Sequence, residues 1–205
     1  MPAPLVHIAY AQIYLDTRPE LDVRKFMRGT VFPDVRRGAN ISRDLTHNFQ
    51  ATLADANRQS DSWQAGWWLH SYMDLAWNAW FVSMGLVVDD EAMGEETWRA
   101  LKTAEEAKIF DHIKERNKIA DMFEGALDEE ELSSPAAAKP IQEWYSFVAW
   151  KLKEPYAPAS WKEMLMKVGE PADSVEALLP IIDQYLHDEV WQQRLRELHL
   201  HLGMA

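Results

Sequence analysis

Residues 62–85, SWQAGWWLHSYMDLAWNAWFVSMG, constrain this chain more than any other stretch. At about 100° per residue, Trp63, Gly66, Trp67, His70, Met73, Asp74, Trp77, Phe81 and Met84 fall on one stripe of a helix. A stripe this rich in indole has to be covered, so it predicts a large aromatic core or an aromatic-walled pocket. His70 and Asp74 stand one turn apart on that apolar side, where polar groups are rare. An ionised carboxylate in such surroundings costs several kcal/mol unless something positive compensates it. A metal ion does so, because carboxylate and imidazole are both good zinc ligands and neighbours at i, i+4 point the same way.

The rest of the 205 residues sets bounds on this reading. The length suits one substantial core, and 47% apolar with 26% charged residues describes a globular protein. A formal charge of −12 disfavours a broad surface for nucleic acid or anionic membrane, although a pocket made cationic by bound metal escapes that count. The absence of cysteine removes disulfides, thiolate zinc sites and a cysteine nucleophile, so any metal falls to His, Asp, Glu or backbone oxygen. The start, Met1-Pro2-Ala3-Pro4, lacks the basic and apolar pattern of a secretory signal, and no stretch reaches the length of a membrane span. A cytoplasmic location is therefore the expectation.

The pattern is helical nearly throughout and predicts a single all-α domain, a multi-helix bundle. Helices are expected over 4–15, 21–28, 62–85, 95–125, 141–152, 160–168 and 173–202, the last broken near Pro180. Residues 29–43, with two glycines, Pro33 and Asn40, read as a long loop of the kind that tends to be functional. Residues 128–140 read as an acidic connector between a metal-site half, about 1–125, and C-terminal helices, with the run Glu129–Glu131 solvated. His187, His199 and His201 are expected at the surface of the terminal amphipathic segment.

Five polar residues of the first half form the candidate metal set: His7, Asp34, His47, His70 and Asp74. His7 lies on a small-residue helix face, Asp34 follows Pro33 in a stiff turn, and His47 opens the next segment. Trp77 and Trp80, flanking the stripe, are candidate pocket walls. Each His–Asp pair also has a plain alternative as an internal hydrogen bond in the core.

At these residues the chain resembles the bacterial zinc-dependent phospholipase C family. The likeness rests on an early histidine helix (LVHIAYAQIYL), a Gly-x-x-x-Pro-Asp segment (GTVFPD), a Thr-His pair (LTH) and a Gly-x-x-x-His-x-x-x-Asp helix (GWWLHSYMD), in order over about residues 5–80. The resemblance implies an all-helical fold with a metal site in a cleft between helices, in which Asp34, His47, His70 and Asp74 hold one zinc and Asp74 bridges to a further zinc also bound by His7. It departs from the family where Trp80 occupies the position of another histidine ligand. The family's later His-x-x-x-Glu pair has its nearest analogue in His112 and Glu115, which are carried as further candidates. The family's N-terminal tryptophan ligand has no clear counterpart. One or two ions is the implied count, and manganese or iron would suit the same nitrogen and oxygen ligands.

The resemblance implies a metal-dependent hydrolase of phosphoester bonds, with metal-bound hydroxide as nucleophile and Asp34 and Asp74 as the candidate catalytic residues. The expected substrate is a small phosphoester or lipid, with nucleic acid disfavoured by charge. Two rivals stay open: a non-catalytic metal-binding or interaction protein that has lost part of the cluster, and a metal-free helical protein with structural His–Asp pairs.

Overall fold

A computed structural model describes residues 3–83, 95–154, 158–167 and 171–202, and these form helices and turns with no strand among them. Helix α1 (Pro4–Asp16) begins on Pro4, whose missing N–H is no loss in a first turn. Asp22 accepts from the Lys25 N–H at 2.9 Å and starts α2 (Val23–Val31). The chain does not then open into a loop. It runs through a 3-10 turn (Phe32–Val35), α3 (Arg36–Ala39) and a second 3-10 turn (Arg43–Leu45). The expected breakers act differently here: Gly29 lies inside α2, Pro33 takes a first-turn position, and Asn40 (φ 51°) ends α3 in the left-handed region.

Thr52 and Asp55 form a capping box at α4 (Leu53–Arg58), and the Asp61 carboxylate accepts from Gln64 N–H at 2.7 Å at the head of α5 (Ser62–Ser83). Met84 and the expected stop at Gly85 lie outside the described residues. The single helix expected over 95–125 is instead α6 (Glu95–Phe110) and α7 (Arg116–Met122). The Gln12 side-chain amide donates to the Lys114 carbonyl at 2.9 Å and accepts from its N–H at 3.1 Å. With Glu115 at φ 52°, those backbone groups are satisfied outside a continuous helix.

The acidic connector contains α8 (Glu129–Leu132), and Glu131 is not solvated. It is fully buried, 3.0 Å from Arg28 Nη1, and accepts from the Tyr145 hydroxyl and Asp128 N–H, each at 2.7 Å. Arg28 in turn donates to the carbonyls of Met122, Glu124 and Ala126. Helices α9 (Ala138–Lys153), α10 (Pro158–Lys167), α11 (Ala172–His187) and α12 (Glu189–His201) follow. Pro180 does not break α11, which runs through it with the proline ring on the exposed side. The break falls at Asp188, whose carboxylate caps Trp191 N–H at 3.0 Å.

The packing that positions the site is the crossing of α2 on α5, with α1 against α2 and α6, and α11 against α6. A Cβ added to Gly66 would sit 2.2 Å from the Phe26 carbonyl oxygen and 2.7 Å from Thr30 N, and one added to Gly29 would sit 2.1 Å from the Trp63 carbonyl oxygen. Only glycine on each helix permits that backbone approach. Beyond the crossing, Trp77 packs at 4.3 Å from Phe81 and 4.9 Å from Trp98 in the core. No helix among the described residues is long and apolar enough to cross a membrane.

Candidate metal centre

The five first-half candidates arrive on four pieces of this scaffold, and all are buried: His7, His70 and Asp74 at 2% exposure or less, His47 and Asp34 at 6% and 7%. His7 comes from α1, Asp34 from the turn after α2, His47 from the chain after the second 3-10 turn, and His70 and Asp74 from α5. They converge. Ligand atoms of His7, His70 and Asp74 lie within 4.8 Å of one another, as do those of Asp34, His47 and His70. Buried His and Asp groups that could hold a metal ion are therefore present.

The ring orientations follow from the partners behind them. His70 Nδ1 lies 2.8 Å from the Thr30 carbonyl, which accepts only, so Nδ1 carries the proton and the neutral ring turns a bare Nε2 inward. The close α2–α5 crossing is what carries Thr30 to that position. His47 is gripped on both sides: Trp67 Nε1 donates to the Thr46 carbonyl, and Asn48 N–H donates to Ser71 Oγ at 3.1 Å. The Thr46 hydroxyl donates to the Arg43 carbonyl at 3.3 Å, leaving its lone pair for His47 Nδ1–H at 2.8 Å. In the neutral ring that tautomer also exposes a bare Nε2.

The inward atoms are spaced as ligands. His47 Nε2 and His70 Nε2 are 3.2 Å apart, and Asp74 Oδ2 is 3.3 and 3.8 Å from them. His7 Nε2 is 3.5 Å from Asp74 Oδ1. Ligands about 2.0–2.1 Å from a tetrahedral zinc are ~3.3 Å from one another, so these separations bracket the edge of such a site. Two facing lone pairs repel without a cation between them. His7 is stacked on His70 at 3.9 Å, and both His7 nitrogens and Asp74 Oδ1 are buried without a hydrogen-bond partner.

Electrostatics agree with the geometry. Burial, then the His7 imidazole, push the His70 pKa down to about 3, against the opposing pull of Asp74 and Asp34. Burial alone would raise Asp74, but His70, His47 and His7 around it hold its carboxyl well below the usual range. An ionised carboxylate thus sits beside a neutral imidazole, with Arg43 Nη2 at 2.7 Å from Oδ2.

No family model, curated protein or solved structure matches this chain. The assignment of the centre accordingly rests on its own chemistry.

The other candidates lie elsewhere. His112 and Glu115 are exposed in the turn between α6 and α7, Glu115 pairs with Lys118 at 3.1 Å, and neither joins the cluster. The helix expected to carry them inward ends at Phe110. Trp77 is fully buried and donates to Glu105 at 3.1 Å, while Trp80 is 8% exposed and packs on Phe81, and neither lines the groove beside the centre. The groove beside the centre, about 520 Å³, is lined instead by His47, Asn48, Phe49, Trp67, Trp68 and Ser71. Phe49 and Leu45 form an apolar lip, about half exposed. His187 and His201 are exposed, but the largely covered His199 lies 3.5 Å from the buried Glu105.

Sequence reasoning did not single out Arg43 or Thr30 for these roles, and Trp67 and Trp68 entered it only as part of the indole-rich helix expected to form an aromatic core or pocket wall. Thr46 stood within the Thr-His motif, and its proximity to His47 was the one available signal. Arg43 gave none, since a charge on a turn has no period.

Proposed function

We propose that this chain is a zinc-dependent hydrolase of phosphoester bonds, akin to the bacterial zinc-dependent phospholipase C family. The observation that carries the reading is the opposed pair of Nε2 atoms on Asp74, beside a groove large enough for a small ligand. In this reading Asp34, His47, His70 and Asp74 would hold the principal ion, and His7 with Asp74 would support another. A divalent ion supplies Lewis acidity, polarising a phosphoryl oxygen and acidifying water. Asp34 is the residue assigned to accept a proton at a carboxylate oxygen and orient the attacking water. Thr30 and Thr46 fix the two imidazoles, and Trp67, Trp68 and Phe49 cover the apolar part of the substrate.

The charge of −12 favours a soluble phosphoester or a single lipid over an anionic bilayer. Turnover of p-nitrophenyl phosphate and bis(p-nitrophenyl) phosphate by the zinc-loaded chain tests the reading, with Asp34→Asn expected to abolish it. One observation favours a second reading. Trp80 is packed into the core and offers no ligand, so a metal-binding protein without catalysis fits a reduced cluster. Bound zinc with no turnover of either ester would decide for that binder.

A further inference from the structure

The centre already contains one cation. Arg43 sits on the 3-10 turn Arg43–Leu45, and its Nη2 reaches the same Asp74 oxygen that His47 approaches. Its side chain is 31% exposed against 2% for Asp74, so the guanidinium spans the step from the buried cluster to the surface. Its Cζ lies 5.4 Å from the ring centroid of Phe49, a groove residue, and its Nε is buried without a hydrogen-bond partner. A guanidinium has five donors in a fixed fork, and only one contact here is an ion pair. A counter-ion retained solely for Asp74 would not need a fork that reaches the surface beside Phe49.

We propose that Arg43 is an anion-binding residue, holding a phosphoryl oxygen of a ligand in the groove beside His47 when the cluster carries a divalent ion. The proposal rests on the metal-centre reading above. Without an ion, the carboxylates of Asp34 and Asp74 outweigh one guanidinium, and Asp44 on the groove adds to the repulsion of any anion. A divalent ion would cancel the excess negative charge of these three carboxylates over Arg43 and would compete with Arg43 for Asp74. The exposed donors of the fork would then have an oxyanion as their partner, in the charge-assisted contact that arginine makes with phosphate. Phosphate affinity is thereby coupled to metal occupancy, with no general basic patch involved.

The test is calorimetric titration of inorganic phosphate and of phenyl phosphate into the full chain, zinc-loaded and chelator-treated, with zinc content measured on each sample. Wild type, Arg43→Met and Arg43→Lys are compared. Zinc content is expected to be equal in all three. Loss of one charge-assisted, forked contact is expected to weaken phosphate about tenfold to hundredfold in Arg43→Met. Arg43→Lys, which keeps the charge and loses the fork, is expected to fall between the two. Arg43 dependence in either arm supports the proposal, and the tighter arm tells a free oxyanion from an ester whose organic part uses the groove walls. Equal phosphate affinity in wild type and Arg43→Met overturns it, as does loss of zinc from Arg43→Met or phosphate binding that ignores zinc. Wild type that takes up no zinc refutes the metal-centre reading itself, and this proposal falls with it.

Discussion

His47 and His70 hold their Nε2 atoms 3.2 Å apart, and each ring is pinned from behind through Nδ1, His47 by the hydroxyl of its neighbour Thr46 and His70 by the carbonyl of Thr30 on α2. The relationship suits a metal centre, where a cation would sit between the two bare nitrogens. It also makes residues that touch no ion answerable for affinity.

Thr46→Val keeps the shape of the side chain and removes the hydroxyl that fixes His47. Metal affinity is expected to fall about tenfold to hundredfold, the usual cost of losing such an orienting partner. Competition with a chromophoric chelator measures it. An unchanged affinity would show that Thr46 does not set the ring.

Gly66→Ala tests whether the site depends on the helix crossing. Its methyl would meet Phe26 and Thr30 backbone rather than a flexible side chain. Overpacking of this kind costs about 1–3 kcal/mol, and here the displaced element is the one that carries the Thr30 carbonyl to His70. Thermal unfolding and zinc titration should therefore deteriorate together. A lower melting temperature with intact zinc affinity would separate the crossing from the site.

Acid should destabilise the chelator-treated protein. His70 has a folded pKa of about 3 against an ordinary value of about 6.5, so the unfolded chain binds the proton more readily. Stability is complete above about 6.5 and drains as pH falls toward about 3, by on the order of a few kcal/mol. Urea unfolding at pH 7.5 and 5.0 checks the sign, and His70→Gln should flatten the difference.

The helix that carries His70 and Asp74 was legible because buried indoles at helical spacing leave a periodic record. Met73, Trp77 and Phe81 are all fully buried as that record predicts. That five polar residues meet was legible only as a set of ordered motifs, since their encounter depends on how α1, α2 and α5 pack. Glu131 misled for a related reason. Three consecutive glutamates look solvated by composition, and the partner that buries one of them, Arg28, is 103 residues away. The helix ends at Phe110 and Asp188 were set by the Gln12 amide clamp and an aspartate cap, signals weaker in sequence than the proline at 180.

The buried ion pair also carries a prediction. Glu131→Ala leaves Arg28 charged and fully buried with only the more distant Asp128 carboxylate, 4.0 Å away, and loss of a buried partner typically costs about 3–5 kcal/mol. Denaturant unfolding should register a loss of that order, and a loss under about 1 kcal/mol would mean that the backbone carbonyls around Arg28 suffice.

The central claim is that the cluster holds a metal ion, and metal content after equilibration with zinc and exhaustive dialysis tests it most directly. Wild type is expected to retain at least one zinc ion per chain and to melt lower once a chelator has removed it. Asp74→Asn, which keeps the size of the side chain and removes its charge, should retain far less. Wild type that keeps no stoichiometric metal, with a melting temperature indifferent to chelator, would contradict the account and leave His47, His70 and Asp74 as a hydrogen-bonded core.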